Sequence, residues 1–415
     1  MTTTKNNEHK KLNFSNEREQ SQACLNSAEH EKNQGRKVLN VPNFRFPEFQ
    51  GEWKKCKLSE NCTFFSGGTP SSSNKDFYGG NIAFIRSGEL HADSTELFIT
   101  QAGFDSSSAK MVEVGDLLLA MYGATSGDIA VSKIKGAINQ AILCIRTKQN
   151  KKFIESVWNK HVSKNLRKYL QGGQGNLSAD IVKGISFFFP TLKEQEKIAN
   201  LVSLLDERIA TQNKIIDKLQ SLIKGIVDCT ILRKEKNAIV GDVCSISEQI
   251  RAEANIDDII TVRLHGNGVY KSSAENLQLG ATQYYRRRAG QLIYGKQNFH
   301  NGAIGIVPIS LDNGITSKDI PSFDIDEMKC NSVYLLAQLQ SPQYYKPAEA
   351  LTTGTGSKRL KEETFLKMPI VLPNKREQDN IAVLIHCASM NLDHAKRLLE
   401  LLSIQKQFLL RQMFI

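Results

Sequence analysis

The richest patch of basic and amide side chains in the second half of the chain lies between residues 284 and 302. In this stretch YYRRR (Tyr284–Arg288) is followed by GKQNFHNG (Gly295–Gly302). Arginine, lysine, asparagine and glutamine carry the hydrogen-bonding groups that contact phosphates and base edges in nucleic acids. A solvated basic turn and hairpin is the alternative interpretation. The candidates for nucleic-acid contacts are Arg286, Arg287, Arg288, Lys296, Gln297, Asn298 and His300.

Other polar loops offer contacts of the same kind. The first half of the chain has a serine-rich loop after Pro70, a loop after GDLLLAM and a glycine-rich loop at QGGQGN. The second half has a basic pair beside TTGTGS. Ordinary solvated loop residues are again the alternative. The candidates are Ser72, Asn74, Lys75, Tyr122, Thr125, Gln174 and Asn176 in the first half, with Lys358 and Arg359 as phosphate contacts in the second.

Motifs for catalysis do not accompany these residues. An amino-methyltransferase needs an Asn/Asp/Ser-Pro-Pro-aromatic loop to hold the flipped base, and the nearest string, SPQY (Ser341–Tyr344), does not fit. GTGSK (Gly354–Lys358) lacks the four-residue spacing that wraps a phosphate chain. His386 and His394 are not one helical turn apart, which disfavours a metal site. We therefore expect no catalytic or metal-binding residues.

Composition favours an anionic partner. The formal net charge is +11 over 415 residues, with 40% hydrophobic and 23% charged residues, the mixture of an ordinary globular protein of two or three domains. Nucleic acid is the first candidate for the partner and a membrane surface the second. No apolar run approaches the roughly 20 residues that span a bilayer.

The cysteines and the first residues indicate the compartment. Eight cysteines are scattered without a Cys-x-x-Cys pair, which is typical of reduced thiols and not of a disulfide framework or a zinc site. The start, MTTTKNNEHKK, lacks the apolar stretch of a secretory signal. We expect a cytoplasmic protein.

The elements that must position the candidate residues occur twice. Short apolar runs broken by Gly, Ser and Asn predict strands and turns in residues 41–189 and again in 234–372. Each half has a helix before its glycine-rich loop, at 151–171 and at 332–351, and each ends in a long helix, 190–233 and 373–415. Residues 1–40 are polar and of mixed charge, which predicts a disordered tail.

The two long helices open alike and carry the same periodicity. PTLKEQEKIA (Pro190–Ala199) and PNKREQDNIA (Pro373–Ala382) share Pro, Glu-Gln and Ile-Ala at the same positions. Apolar residues then recur in alternating steps of four and three, with Gln212 and Lys406 as polar interruptions, which is typical of a coiled-coil seam. The predicted seam residues are Ile198, Val202, Leu205, Ile209, Ile216, Leu219, Ile381, Ile385, Leu392, Leu399 and Leu402.

Two homologous helices, each following a globular domain, favour packing against each other over packing on their own domains alone. An antiparallel pair places one domain at each end and relates the halves by a pseudo-two-fold axis, matching the two-fold backbone symmetry of a DNA duplex. We therefore predict an α/β (α+β) protein with two tandem domains and an intramolecular antiparallel coiled coil. Leu201, Leu204, Ile215 and Leu222 lie off the seam, either to dock a partner or to pack on the domains.

This layout resembles the specificity subunit of a type I restriction-modification enzyme, in which two target-recognition domains alternate with two conserved helices. The resemblance covers residues 41–415 and rests first on the two helix openings. The second domain lacks the Gly-Gly-Thr-Pro phrase of the first. Supporting segments are Asn40–Trp53, Ser66–Leu90 and Gly115–Val131.

The resemblance implies a subunit without a catalytic site. Each domain would read one half of a bipartite double-stranded DNA target, and the helices would set the spacing between the halves. Two methyltransferase subunits would dock along the helices, and restriction subunits would join them. S-adenosylmethionine for adenine methylation, and ATP and magnesium for cleavage, would be bound by these partners and not by this chain.

One inference comes from the residues themselves. Because the two domains differ in nearly every loop residue, the two half-sites should differ, and the target should be non-palindromic. Two other functions are compatible with parts of the sequence: a freestanding DNA-binding or coiled-coil scaffold protein, and a self-sufficient methyltransferase, which the missing base-binding loop disfavours.

Overall fold

The computed structural model describes residues 39–169, 176–272, 282–354 and 358–415. They form two compact units. Unit 1 runs to Leu205 and includes Gln405–Ile415, and unit 2 is Asp206–Ile404. Most of the tail predicted at residues 1–40 lies outside the described residues, but Asn40 is held in place because its carbonyl accepts a hydrogen bond from the Trp53 N–H at 2.8 Å.

Unit 1 combines three small sheets with short helices. Its strands are β1 (Lys54–Lys57), β2 (Cys62–Ser66), β3 (Tyr78–Ile85), β4 (Phe98–Ile99), β5 (Lys110–Val112), β6 (Leu117–Ala120), β7 (Ile129–Val131), β8 (Gly136–Ile138), β9 (Ile142–Thr147) and β10 (Ser186–Phe189). Its helices are α1 (Leu58–Asn61), α2 (Gln101–Asp105), α3 (Lys151–Tyr169) and α4 (Ala179–Gly184). The sheet orders are β1-β10, β2-β9-β6-β7 and β4-β3-β8-β5.

The sheet β2-β9-β6-β7 is the centre of unit 1 because both of its faces are covered. Leu117 and Leu119 of β6 pack in one core with Trp158 of α3. Leu118, between them, points the opposite way and packs with Ile138 of the other four-stranded sheet. Strand β6 is therefore the uninterrupted apolar run LLLA, the pattern expected of a strand buried on both faces.

Unit 2 repeats this plan. Its strands are β11 (Ala238–Ile239), β12 (Cys244–Ile246), β13 (Arg251–Ala252), β14 (Ile260–Val262), β15 (Val269–Lys271), β16 (Tyr284–Arg286), β17 (Leu292–Tyr294), β18 (Ile304–Ile306), β19 (Ile315–Ser317), β20 (Ser322–Ile325) and β21 (Pro369–Ile370). The sheet orders are β11-β21, β12-β20-β17-β18, β13-β16-β19 and β14-β15. Strand β17 takes the place of β6: Leu292 and Tyr294 pack with the helices, and Ile293 packs with β14 and β15.

The helix predicted at 332–351 is interrupted. It consists of α5 (Ser332–Leu339), the single turn α6 (Pro342–Tyr345) and a 3₁₀ segment (Lys346–Leu351). Pro342 lacks an N–H and tolerates only the first turn of a helix, so α5 ends before it and a new turn begins at it. A further short helix, α7 (Glu362–Leu366), precedes β21.

The two long helices are α8 and α9, where α8 (Leu192–Val227) continues into a π-helical turn (Asp228–Leu232) and α9 is Lys375–Met413. In unit 1, Val202 near the start of α8 packs in one core with Met413 at the end of α9. In unit 2, Val227 at the end of α8 packs in one core with Ile385 near the start of α9. The helices are therefore antiparallel in both units, as the sequence predicts.

The seam between the helices contains one buried polar contact. Gln212 of α8 is buried, and its Nε2 donates to the Ala395 carbonyl oxygen of α9 at 3.0 Å. Gln212 lies 18 residues after Glu194, as Ala395 lies 18 residues after Glu377, so equivalent positions of the two copies meet here. Every predicted seam residue is buried or half-buried. Off the seam, Leu201 packs on the core of unit 1, whereas Leu204, Ile215 and Leu222 are exposed.

The repeated Glu-Gln pair anchors each long helix to its own domain. Gln195 accepts a hydrogen bond from the Asn150 N–H at 3.1 Å and donates to the Pro190 carbonyl oxygen at 2.9 Å. Gln378 makes the same two contacts, with the Asn331 N–H at 2.9 Å and the Pro373 carbonyl oxygen at 2.8 Å. Both glutamines are buried, and both hold the residue that precedes a domain helix.

The glutamates of the two pairs have unlike surroundings. Glu194 is buried and accepts hydrogen bonds from the Arg45 guanidinium, at 2.8 Å to each carboxylate oxygen, and from Trp53 Nε1 at 3.2 Å. Glu377 is partly exposed and pairs with Lys234. The segment before β1 is thereby tied to the start of α8 in unit 1 by a buried ion pair that has no counterpart of equal burial at Glu377.

Candidate nucleic-acid interface

Three chain segments meet at one edge of the central sheet in unit 1. The Met121 N–H, directly after β6, donates to the Ala141 carbonyl oxygen at 2.8 Å, and the Leu177 N–H donates to the Met121 carbonyl oxygen at 2.8 Å. These bonds join the loop after β6, the loop before β9 and the segment before α4. Candidates more than 50 residues apart, Tyr122 and Asn176, are therefore brought to the same edge.

A fourth loop reaches this edge through two glycines. A Cβ on Gly67 would lie 1.7 Å from the Ile138 carbonyl oxygen, and one on Gly68 would lie 2.2 Å from Ser108 Oγ. Only residues without a side chain allow the loop to pass this close to the neighbouring backbone. The phrase SGGTP therefore directs the chain after β2 across the end of β8, where Thr69 contacts Gln140. We call loops 67–75, 121–126 and 139–141, with residues 176–177, the unit 1 edge.

The unit 1 edge presents mostly uncharged polar side chains. Tyr122 and Asn176 are exposed, and Thr125 is half-buried. Ser72 and Lys75 are exposed in the loop after Pro70, where Asn74 Oδ1 accepts a hydrogen bond from the Asp76 N–H at 3.1 Å. Gln174, the remaining candidate of this half, lies outside the described residues.

Unit 2 builds its edge with the same backbone hydrogen bonds. The Lys296 N–H, after β17, donates to the Asp319 carbonyl oxygen at 2.9 Å, and the Leu360 N–H donates to the Lys296 carbonyl oxygen at 2.9 Å. Lys296 thus takes the place of Met121, and Leu360 that of Leu177. We call the described residues of loops 295–302, 317–320 and 358–360 the unit 2 edge.

This correspondence relates unlike side chains. The residue after Met121 is Tyr122 and the residue after Lys296 is Gln297, and both are exposed. By the same alignment Gln140 corresponds to Lys318, and Asn176 corresponds to Arg359, all four being exposed. The two edges have one backbone plan and different hydrogen-bonding groups.

The predicted basic residues of the unit 2 edge face carboxylates. Lys296 Nζ lies 2.7 Å from Glu362 Oε1, with only 12% of the lysine side chain exposed. Arg359 lies 3.3 Å from Asp319, and Lys358 lies 3.8 Å from Glu349. Gln297 and Asn298 are exposed beside them. The positive charge of this edge is therefore partly compensated, which favours specific contacts over general attraction to phosphates.

Known proteins share this architecture and parts of this sequence. A family model described as the type I restriction modification DNA specificity domain matches residues 50–221. The type I restriction enzyme MjaVIII specificity subunit of Methanocaldococcus jannaschii is 19% identical over 373 residues, covering 81% of this chain and 85% of that protein. The MjaIX specificity subunit of the same organism is 26% identical over 182 residues, or 40% of this chain and 42% of that protein. Residues 50–221 therefore resemble the type I restriction modification DNA specificity domain, and the chain as a whole is similar to type I specificity subunits.

The fold agrees with this family. This chain is similar in fold to the crystal structure of the type I restriction-modification S subunit from M. genitalium, with a TM-score of 0.61 at 13% identity. The match covers 90% of this chain and 99% of the M. genitalium chain. The resemblance drawn from the helix openings is confirmed. The missing Gly-Gly-Thr-Pro phrase does not alter the plan of unit 2, because the unit 2 edge forms without it.

One predicted DNA contact of unit 2 is wrong. Arg287 is fully buried, and its guanidinium donates to Thr316 Oγ1 at 2.8 Å, Ser322 Oγ at 2.9 Å and the Ile320 carbonyl oxygen at 3.0 Å. Burial lowers the pKa of Arg287 to about 10, which leaves it protonated at neutral pH. Arg287 therefore ties β16 to β19 and β20 from inside the domain and cannot reach a ligand.

The basic segment 284–302 is not one patch. Arg286 and Arg288 are exposed but precede β17, whereas Lys296, Gln297 and Asn298 follow it, so the two groups lie at opposite ends of this strand. His300 is half-buried, and its Nδ1 is buried without a hydrogen-bond partner among the described residues. The prediction of one cluster was wrong because the buried strand β17 lies between the two groups and separates them by its own length.

Sequence reasoning missed two residues of the edges. Gln140 and Lys318 are exposed and stand next to Ala141 and Asp319, whose carbonyl oxygens accept the bonds that close each edge. Their position in the chain could have identified them. Gln140 lies in the short connection before β9, which pairs with β6, and Lys318 lies in the short connection before β20, which pairs with β17. Among the described residues, no helix is long and apolar enough to cross a membrane.

Proposed function

We propose that this chain is the DNA-specificity subunit of a type I restriction-modification complex and that it binds a bipartite, non-palindromic target. Unit 1 would read one half of the site with its edge, and unit 2 the other half. The single observation that supports this most strongly is the pair of edges, closed by equivalent backbone hydrogen bonds but carrying different side chains. Two edges with equivalent backbones and different side chains are suited to binding two half-sites of different sequence.

The proposed subunit has no catalytic centre of its own. It would direct methyltransferase and restriction subunits to the site, and those partners would bind S-adenosylmethionine, ATP and magnesium. The long helices would fix the distance between the half-sites because their antiparallel seam holds residues of both copies in register. Such a protein would work in the cytoplasm, where the DNA is.

Docking of the methyltransferase subunits is proposed on the exposed faces of the long helices. Helix α9 has further apolar residues away from the seam, spaced in steps of four and three but interrupted by His394 and Arg397. An exposed apolar stripe of this kind is a protein–protein contact surface when it is not covered by the chain itself. Its exposed members are Val383, Cys387, Met390, Leu401 and Ile404, with exposed fractions of 47% to 63% for the four that are not cysteine.

The decisive experiment combines the full chain with its methyltransferase subunit. The complex is incubated with S-adenosylmethionine and genomic DNA, and the positions of N6-methyladenine are then mapped by sequencing. We expect methylation at one bipartite sequence with two different halves, and no transfer by the chain alone. Docking is tested by comparing the wild-type chain with Leu401→Glu. A carboxylate on the α9 stripe should weaken assembly with the methyltransferase subunit, as measured by size-exclusion chromatography.

Each other result rejects a part of the proposal. Methyl transfer by the chain alone would identify it as a self-sufficient methyltransferase. Failure to form a complex with the methyltransferase subunit would favour a freestanding DNA-binding or scaffold protein. A perfectly palindromic methylated site would contradict unlike half-sites.

A further inference from the structure

An arginine of unit 2 outside the predicted clusters is held on an aromatic ring. The guanidinium carbon of Arg263 lies 3.9 Å from the centroid of the Tyr270 ring, and both side chains are exposed. Tyr270 of β15 is directly opposite Thr261 of β14, and Arg263 follows Thr261 by two residues. The arginine is thus the diagonal neighbour of the tyrosine on the outward face of the hairpin, close enough for stacking.

The β14–β15 hairpin brings this pair to the unit 2 edge. Strand β14 runs parallel to β19 through the bridge between Ile259 and Ile315, so its end lies at the same end as Lys318. The turn of the hairpin is fixed to the loop after β17, because the His265 and Gly266 N–H groups donate to the Asn301 and Gly302 carbonyl oxygens at 2.7 and 2.8 Å. Arg263 is therefore part of the same surface as Gln297 and Asn298.

Arg263 differs from the other arginines near this edge in its partners. Arg359 is paired with Asp319, and Arg287 is buried on three oxygen atoms. Among the described residues, no ion pair or hydrogen bond involves the guanidinium of Arg263. A ring covers one face of a guanidinium and leaves its five N–H donors in the plane free, while limiting the orientations it can adopt.

We propose that Arg263 reads a guanine in the half-site bound by unit 2, and that Tyr270 is the positioning residue for it. The planar fork of an arginine matches O6 and N7 of guanine in the major groove, the commonest specific contact between a side chain and a base. This inference rests on the proposed function of the chain as a DNA-reading subunit. It assigns one base type to one position of one half-site.

The test is a selection of bound duplexes from a randomised pool by the full chain in complex with its methyltransferase subunit. Four variants are compared with the wild type: Arg263→Lys, Arg263→Ala, Tyr270→Phe and Tyr270→Ala. Arg288→Lys is the matched control, since Arg288 is an exposed arginine of the same unit at the opposite end of β17. Circular dichroism of each variant establishes that it is folded before selection.

Arg263→Lys should lower the preference for guanine at one position by about 10- to 100-fold, because a lysine keeps the charge but loses the fork. The salt dependence of binding should match the wild type in both Arg263→Lys and Arg263→Ala, because the arginine contacts a base and not a phosphate. Tyr270→Phe should keep the preference because it keeps the ring, and Tyr270→Ala should relax it less than Arg263→Lys. Arg288→Lys should leave the preference at that position unchanged.

An unchanged base preference in Arg263→Lys would overturn the inference, as would a loss spread evenly over both half-sites. A stack that acts only in folding would lower the stability of Tyr270→Ala without changing its base preference, and that result would contradict the positioning role of Tyr270. If the wild-type complex itself selects no bipartite sequence, the proposed function fails and not the assignment of Arg263 alone.

Discussion

The edges of units 1 and 2 differ in charge although their backbones follow the same path. Tyr122, Gln140 and Asn176 of unit 1 correspond to Gln297, Lys318 and Arg359 of unit 2. The bonds that close each edge involve only backbone atoms, so they constrain the path of the loops and leave the side chains free to vary. A fold of this kind can change what it contacts without changing how it is built.

The two units also differ in a hydrogen bond between the central strand and its neighbour. Asp116, which precedes β6, pairs with Arg146 of β9 at 2.8 Å. In the registers of the two central sheets these residues correspond to Gln291 and Asp324, which are joined by a neutral amide donor to a carboxylate oxygen at 2.8 Å. The ion pair of unit 1 is thus replaced in unit 2 by a hydrogen bond from a neutral amide to a carboxylate, whereas the glutamine anchors of the long helices are the same in both units.

The largest difference between the units is expected at the two glutamates. Glu194→Ala removes a buried carboxylate and leaves Arg45, whose side chain is 15% exposed, without its partner, so unit 1 should lose about 3 kcal/mol of unfolding free energy. Glu377→Ala removes a pair in which both side chains are about 40% exposed, so it should cost less than about 1 kcal/mol.

Urea unfolding of the full chain measures both variants. The two tryptophans, Trp53 and Trp158, both belong to unit 1, so their fluorescence reports that unit, and far-ultraviolet circular dichroism reports the whole chain. Equal losses in the two variants would show that the buried pair of unit 1 stabilises no more than the exposed pair of unit 2.

The next largest effect is expected at the edges, and it should be confined to one half-site. Tyr122→Ala and Gln297→Ala should each relax the base preference by about 10-fold, the first in the half-site of unit 1 and the second in that of unit 2. The measurement is the sequence profile of adenine methylation by the reconstituted complex. Val114→Ala and Ile309→Ala are matched controls, because both residues are exposed at the opposite end of the central strand.

Relaxation of the same half-site by Tyr122→Ala and by Gln297→Ala would contradict the correspondence between the edges. Relaxation by either control variant would show that the recognition surface extends beyond the two edges. Both results are read directly from the methylated sequences, with no assumption about absolute affinity.

The helix pair and the central sheets could be predicted from the sequence because their signals are local and periodic. The apolar steps of four and three identify α8 and α9, and the run LLLA identifies β6 as a strand buried on both faces. The duplicated helix openings relate the two halves, and the buried contacts of Gln195 and Gln378 supply the physical reason for part of that repeat.

The contents of the edges could be predicted only in part. Loop composition indicated Tyr122, Asn176 and Gln297, but the burial of Arg287 depends on Thr316 and Ser322, about 30 residues further along the chain. A run of three arginines carries no local signal for which member points inward. Arg263 was missed for a related reason, since its role depends on the pairing of β14 with β15 and on the hydrogen bonds of their turn.

A smaller effect is expected where equivalent positions of the two copies meet. Gln212→Ala removes the buried hydrogen bond to the Ala395 carbonyl oxygen and should cost about 1 kcal/mol of unfolding free energy. Combining it with Ala395→Gln places the glutamine on the other helix, where it can donate to the carbonyl oxygen of residue 212. The double variant should recover most of the loss, measured by thermal unfolding. A double variant no more stable than Gln212→Ala would show that the two copies are not interchangeable at this point of the seam.

The smallest effect is expected in the acid dependence of unit 1. Burial alone would raise the pKa of Asp116, but hydrogen bonds from Arg146 and from the Glu113 N–H bring it below its ordinary value. A carboxyl with a lowered pKa in the folded state stabilises the protein above its unfolded pKa of about 3.9, and this contribution is lost as the pH falls through the folded value. The tryptophan-detected stability of unit 1 should therefore decline below about pH 4, and Asp116→Asn should make that decline shallower.

Asp93→Asn is the control, because its pair with Lys133 is exposed on both sides. The equivalent residue of unit 2, Gln291, does not titrate, so this source of acid sensitivity belongs to unit 1; an unchanged slope in Asp116→Asn would remove it as a difference between the units.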